Sequence, residues 1–182
     1  MSGPLIFLVG PRASGKSRAG ALAAELLSLP LRDTDAMVKE AAGRDIDTLV
    51  REQGWDCFRA HERRALVQAA NLGGLVATGG GIVLDRENRD LMRTSGRVFY
   101  LAAPLPCLRE RLLQNPEAAR RPSLTGAPLL DELAAIVAER ECLYLDCAHH
   151  TIDASLPLEE VAGAIARLVI KNRRLPSPGE TP

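Results

Sequence analysis

Residues Gly10 to Ser17 read GPRASGKS, a set of types and spacings suited to holding a polyphosphate. Gly10 and Gly15 let the backbone curl so that successive N–H groups face an anion. Lys16 then brings a cation to the β and γ phosphates, and Ser17 offers a hydroxyl to the Mg²⁺ that accompanies a nucleoside triphosphate. The stretch matches G-x-x-x-x-G-K-[ST] at every fixed position. It follows the apolar run Leu5 to Val9 and leads into the helix-patterned segment Arg18 to Leu27, so the positive end of a helix adds to the loop amides. The plain alternative is a glycine-rich turn with an incidental lysine, against which the strand, loop and helix order favours the nucleotide loop. The residues expected to face the nucleotide are Gly10, Arg12, Ala13, Ser14, Gly15, Lys16, Ser17 and Arg18.

A phosphoryl donor needs an acceptor, and the arginines suggest its chemistry. Arg59 and Glu62 are three residues apart in a helical segment, so they share a face and the glutamate can hold the guanidinium. Arg140 falls in another helical segment. Two planar guanidinium groups converging on one pocket suit a small carboxylic acid, each through paired hydrogen bonds. Helix-surface arginines are ordinarily solvated, and spacing alone does not show convergence. Residues 115–128, NPEAARRPSLTGAP, lack any clear period and carry Arg120 and Arg121 between prolines. A mobile lid is the functional reading: closing over nucleotide, it excludes water and brings an arginine to developing charge. A solvated basic loop is the alternative.

The elements that must position these groups alternate between apolar runs and helical periods. Leu5 to Val9, Leu31 to Asp33, Leu75 to Thr78, Arg97 to Leu101 and Thr151-Ile152 read as strands. Asp35 to Ala42, Asp45 to Glu52, Trp55 to Ala70, Pro104 to Leu113 and Leu129 to Leu145 read as helices. Val161, Ile165 and Leu168 give a last helix one apolar face. The alternation predicts an α/β fold with a mostly parallel sheet covered on both sides, and ligands then gather at the carboxyl ends of the strands. Asp33, Gly79 to Gly81 and the phosphate loop all fall at such ends. One domain over residues 1–172 is expected, with a disordered tail over 173–182, no internal repeat and no linker.

Composition narrows the partners. Lys plus Arg equals Asp plus Glu at 23 each among 182 residues, so no global field recruits nucleic acid or an anionic membrane. Nothing approaches the roughly 20 apolar residues of a membrane span, and Leu5 to Val9 is too short and too early for a signal core. A cytoplasmic monomer acting on small molecules is the expectation. Cys57, Cys107, Cys142 and Cys147 form no CxxC pair and read as reduced, apolar fillers; His149 and His150 read as fold residues.

The ordered set of motifs resembles the shikimate kinase family across nearly the whole length. GPRASGKS resembles its Walker A loop, Asp33-Thr34-Asp35 its DTD, Phe58-Arg59 with Glu62 its F-R-x-x-E, and Thr78-Gly79-Gly80-Gly81 its T-G-G-G. Arg121-Pro122-Ser123-Leu124 with Thr125-Gly126 resembles the R-P-[LT]-L lid, and Arg140 with Tyr144 resembles R-x-x-x-Y. The GPR opening and the lid are most similar to the type II members. The resemblance implies the nucleoside-monophosphate-kinase fold, ATP as donor, Mg²⁺ as cofactor and transfer to the 3-hydroxyl of shikimate. It also implies Arg59 and Arg140 as carboxylate ligands within an acceptor site that includes Asp35, Phe58, Glu62, Gly79, Gly80 and Gly81. Arg121 takes the place of the lid arginine, and Arg111, Asp153 and Pro157 fall where family members flank the adenine. Ser123 and the doubled Arg120-Arg121 depart from the pattern, leaving open which lid arginine reaches phosphate.

Phosphoryl transfer is mostly positioning and charge stabilisation, so an acceptor for the incoming hydroxyl proton belongs beside the γ phosphate. Asp35 is the candidate, as base or as positioning group, alongside Lys16 and Arg121 as the other catalytic groups. Asp33, nearer the strand end, is the candidate metal ligand with Ser17, through water. The two aspartates can exchange roles, and either can instead cap the helix that starts there. Two other functions stay open: another small-molecule kinase of this fold, such as a gluconate kinase, and a non-catalytic nucleotide-binding module. The guanine-reading N-K-x-D motif does not occur in the sequence.

Overall fold

The computed structural model describes residues 4–114 and 129–173. The expected lid, with Arg120 and Arg121, and the tail from 174 onward lie outside the described residues.

Five strands form one parallel sheet: β1 (Leu5–Val9), β2 (Leu31–Asp33), β3 (Gly74–Ala77), β4 (Arg97–Ala102) and β5 (His150–Asp153), in the order β2-β3-β1-β4-β5. Leu8 pairs with Ala77 on one side and Phe99 on the other, so β1 runs up the centre and ends at the point where strand order reverses. Ligand crevices open at such points.

Seven α-helices are found among the described residues: α1 (Lys16–Leu27), α2 (Thr34–Ala42), α3 (Ile46–Leu72), α4 (Arg86–Ser95), α5 (Leu105–Gln114), α6 (Leu129–Cys147) and α7 (Leu158–Arg173). The central strands β1, β3 and β4 are apolar on both faces because both are covered. Ile6 and Leu8 pack with Ala19 and Ala23 of α1 and with Val161 and Ile165 of α7. Phe7 and Val9 point the other way, onto Leu66 of α3, Met92 of α4 and Tyr144 of α6. Each fully buried side chain of this size contributes about 1.5–3 kcal/mol relative to exposure, so slipping β1 by one residue exchanges its two sets of contacts.

Two boundaries show how local chemistry shapes the frame. The continuous helix α3 contains a break at Gly54, whose φ of 81° interrupts the helical backbone and yields the two helical segments expected from sequence. Its start is capped by Asp45, which accepts from Thr48 N at 2.8 Å. The span 82–96, to which sequence reading assigned no element, holds a short 3₁₀ turn (Ile82–Leu84) and α4. Leu91 and Met92 make a narrow apolar face among the charged residues of α4, and Met92 is fully buried. Polar contacts add to that burial: Asn88 Nδ2 donates to Ile82 O at 3.2 Å and Arg89 Nη1 to Val83 O at 2.6 Å.

The cysteines and histidines mostly behave as fold residues. All four cysteines are free; Cys147 is a buried filler whose thiol is pushed up to about 11 by burial, whereas Cys142 is exposed and fills nothing. His149 Nδ1 accepts from Val98 N at 3.1 Å, and the His150 ring lies 5.1 Å from that of Phe99. No described helix is long and apolar enough to cross a membrane.

Candidate active site

The phosphate loop leaves β1 at Gly10 and enters α1 at Lys16, two residues earlier than the helical pattern suggests. A Cβ on Gly10 would stand 2.8 Å from the carbonyl oxygen of Leu101, so only glycine lets the loop lie against β4. Ala13 holds φ at 63°, an uncommon left-handed conformation for a residue with a side chain, of the kind that concentrates at ligand-binding turns. Lys16 is buried, and its Nζ donates to Gly10 O and Pro11 O, both at 2.8 Å, and to Ser14 Oγ at 3.3 Å. The cation is thereby held inside the curl of its own loop. Arg18 is exposed on the first turn of α1, and Arg111 of α5 brings Nη1 to about 4.0 Å from where a Gly15 Cβ would be.

One aspartate now has a defined structural task. Asp33 caps α2, with Oδ1 accepting from Asp35 N at 2.9 Å and Ala36 N at 3.2 Å. Its other oxygen, Oδ2, accepts from Ser17 Oγ at 2.6 Å. The capping alternative therefore falls to Asp33, while Asp35 lines a pocket beside the loop. Ser17 and Asp33 together present an all-oxygen donor pair at the mouth of the loop, the chemistry a hard divalent cation takes.

A pocket lies against the phosphate loop. A Cβ on Gly80 would stand 3.5 Å from Arg12 N and from Gly10 O, so one side-chain carbon would fill the gap between the triglycine turn after β3 and the phosphate loop. Arg12, Asp35, Arg59, Glu62 and Arg140 line this pocket with Gly79 to Gly81, as the sequence suggests for all except Arg12, which was assigned only to nucleotide. Arg59 Nη1 donates to Glu62 Oε2 at 2.6 Å, an ion pair whose glutamate side chain is 2% exposed and whose arginine is 28% exposed. The guanidinium lies 5.5 Å from the Trp55 ring centre and 5.2 Å from that of Phe58, so charge and aromatic faces hold it in one orientation. Arg140 arrives from α6 and donates through Nη1 to Gly80 O at 3.4 Å. Two guanidinium groups from separate helices do converge, and they suit a carboxylate.

Sequence reasoning missed Ile46, Trp55, Glu132, Leu133 and Ile136 as pocket residues. A signal was present. Glu132, Ile136, Arg140 and Tyr144 recur every fourth residue, the spacing of one stripe along a helix, and Trp55, Phe58, Arg59 and Glu62 form a second stripe on α3. The remaining sequence candidates sit on the same edge of the sheet but are not brought onto the loop by any described contact. Asp153 ends β5 and accepts from Ser155 N at 2.9 Å and Ser155 Oγ at 2.6 Å, bonds that hold its carboxyl below the usual range; Pro157 O begins α7 by accepting from Glu160 N and Val161 N.

A phosphate loop on the central strand, an oxygen-donor pair at its mouth and an adjoining arginine-lined pocket define a P-loop small-molecule kinase with the nucleoside-monophosphate-kinase fold. Comparison with known proteins makes the assignment particular. The family model described as shikimate kinase matches residues 12–169, and the chain belongs to that family. It is 46% identical over 156 residues to "Shikimate kinase 2" of Syntrophotalea carbinolica, covering 86% of this chain and 91% of that protein. It is 47% identical over 165 residues to "Shikimate kinase" of Oleidesulfovibrio alaskensis, covering 90% and 96%. Among solved structures, a shikimate kinase from Acinetobacter baumannii in complex with shikimate superposes with a TM-score of 0.86 at 30% identity, covering 94% of this chain and 96% of that one. A gluconokinase from Sinorhizobium meliloti matches at TM-score 0.57 and 18% identity, a likeness of fold alone.

Proposed function

We propose that this ATP-dependent kinase transfers the γ phosphate of ATP to the 3-hydroxyl of shikimate, giving shikimate 3-phosphate and ADP on the route to chorismate and the aromatic amino acids. The observation that carries the reading is the abutment of the two sites: a single Cβ added to Gly80, in the turn that floors the arginine-bearing pocket, would already stand 3.5 Å from the phosphate-loop backbone. An acceptor hydroxyl bound there reaches a γ phosphate without any large movement of the described residues.

In this reading Arg59 and Arg140 bind the shikimate carboxylate, and Phe58 and Trp55 face its ring. Asp35 orients the reacting hydroxyl and accepts its proton as transfer proceeds. Gly10 to Arg18 cradle the phosphates, with Lys16 supplying positive charge where it develops. Arg111, Asp153 and Pro157 flank the adenine, and Arg121, outside the described residues, completes the charge around the transferred group. The oxygen pair of Ser17 and Asp33 fits Mg²⁺, which neutralises phosphate charge when bound. The protein acts as a monomer in the cytoplasm.

The test is a coupled ADP assay with shikimate, quinate, gluconate and nucleoside monophosphates offered separately. Shikimate alone should drive rapid ADP release. Faster turnover of gluconate or of a nucleoside monophosphate overturns the acceptor assignment, and acceptor-independent ADP release overturns the kinase reading.

A further inference from the structure

The triglycine turn combines two requirements that oppose each other. Side chains there would displace groups that line the pocket: a Cβ at 79 would stand 2.5 Å from Glu62 Oε1 and 2.9 Å from Asp35 Oδ1, and one at 81 would push aside the Arg59 guanidinium. Three successive glycines also form the most freely rotating backbone a chain can make, with no side chains to anchor it. A pocket floor of that kind misplaces the acceptor unless other residues hold it.

Two buried hydroxyls from different helices grip it. Thr34, fully buried at the start of α2, accepts from Gly79 N through Oγ1 at 3.0 Å. Tyr144, 1% exposed on α6, donates through its hydroxyl to Gly80 O at 2.6 Å. Backbone pairing between β2 and β3 ends at Asp33 and Ala77, so the Thr34 contact extends the link beyond the last paired residues, where the two chains diverge. Tyr144 is itself fixed: its ring stacks on Tyr100 at 5.1 Å and 18°, and burial raises its hydroxyl pKa, which keeps it a donor. Thr34 lies between the capping Asp33 and the pocket-facing Asp35, and Tyr144 lies one turn beyond Arg140. Each grip therefore sets the turn against a group that handles the acceptor.

We propose that Thr34 and Tyr144 are positioning residues that clamp the Gly79–Gly81 turn, aligning the acceptor hydroxyl with Asp35 and the phosphate loop without touching either substrate. The inference rests on the acceptor site proposed above.

The experiment compares Thr34→Val, Thr34→Ser, Thr34→Cys, Tyr144→Phe and the Thr34→Val/Tyr144→Phe double variant. For each, kcat, KM for shikimate and ATP affinity are measured, with amide exchange across residues 78–81. Thr34→Val and Tyr144→Phe should each lower kcat/KM for shikimate by about tenfold or more, the scale of a small misplacement, with ATP affinity within about twofold. Exchange at the turn should quicken in both. Thr34→Ser should recover most of the loss because it restores the acceptor oxygen. If Thr34→Val does not fold, Thr34→Ser against Thr34→Cys decides, since these differ in oxygen against sulfur with the methyl absent from both. In the double variant the losses should be less than multiplicative, as expected for two grips on one turn. Wild-type kinetics in the folded single variants, or equal impairment in Ser and Cys, overturns the clamp. A wild-type enzyme without shikimate-dependent ADP release overturns the acceptor reading beneath it, a separate and recognisable failure.

Discussion

The donor loop and the acceptor pocket adjoin, yet they are built in opposite ways. The loop is one stretch of eight residues whose lysine is hydrogen-bonded to the carbonyls of the same stretch, so its geometry is almost wholly local. The pocket draws Asp35 from α2, Arg59 and Glu62 from α3, glycines from the end of β3 and Arg140 from α6, spanning more than a hundred residues of chain. Local construction concentrates function in a few irreplaceable positions; dispersed construction spreads it over contacts that each contribute less.

The sharpest way to break this comparison is at Lys16. Lys16→Ala removes both the phosphate cation and the ties to Gly10 and Pro11, and turnover should fall by about 10³-fold. Steady-state kinetics on the folded variant checks it, and a loss below tenfold would mean the loop is not concentrated as argued. Next, Asp35→Asn should lower kcat by about 10²-fold while leaving thermal stability and ATP affinity nearly intact, because the cap belongs to Asp33. A variant that loses stability and keeps its turnover reverses that division.

Within the pocket, Arg59→Lys should weaken shikimate binding by about tenfold and leave ATP binding unchanged, since an ammonium keeps the charge but not the paired geometry. Calorimetric titration of each substrate separates the two, and a parallel loss of ATP affinity would show that the sites are not independent. Asp33→Asn should cost only about 1 kcal/mol or less, an amide oxygen still being able to cap, and should raise the Mg²⁺ concentration needed for half-maximal rate. An unchanged Mg²⁺ dependence removes Asp33 from the metal.

The smallest effect lies at the opposite, amino-terminal end of the sheet and serves as a control on both sites. Burial and then Arg93 hold the His149 pKa below its ordinary 6.5, and its Nδ1 must be unprotonated to accept from Val98 N. Its contribution to stability is therefore complete above the unfolded value of 6.5 and is lost as pH falls below that toward the folded value. Melting temperature should decline slightly from about pH 7.5 to about pH 5.5, and His149→Ala should flatten part of that slope. If the same substitution shifts the pH profile of kcat, the two ends of the sheet are coupled and the control fails.

Much of this was legible beforehand because the signals were local. Strand runs, the Gly54 break and the phosphate loop follow from neighbours within a few residues, and the resemblance located Arg59 and Arg140. The helix at Arg86–Ser95 escaped because its apolar face is only Leu91 and Met92, and Asn88 and Arg89 add to it by reaching the carbonyls of the preceding turn, contacts that no local pattern announces. Glu132 and Ile136 escaped because a helical stripe states which residues share a face and not what that face meets.

By itself, the sequence determined the chemistry at hand and the elements that carry it: a polyphosphate loop between a buried strand and a helix, carboxylates at a strand end, arginines at helical spacing. Backbone propensity, side-chain period and motif spacing act over one or two turns, and that range sufficed. Only the tertiary structure decided that Asp33 caps while Asp35 faces the pocket, that Arg59 and Arg140 meet at one glycine turn, and that Thr34 and Tyr144 hold that turn. Those facts depend on how α2, α3 and α6 pack around the end of β3. That packing is set by burial summed over the whole sheet, which no short stretch of chain encodes.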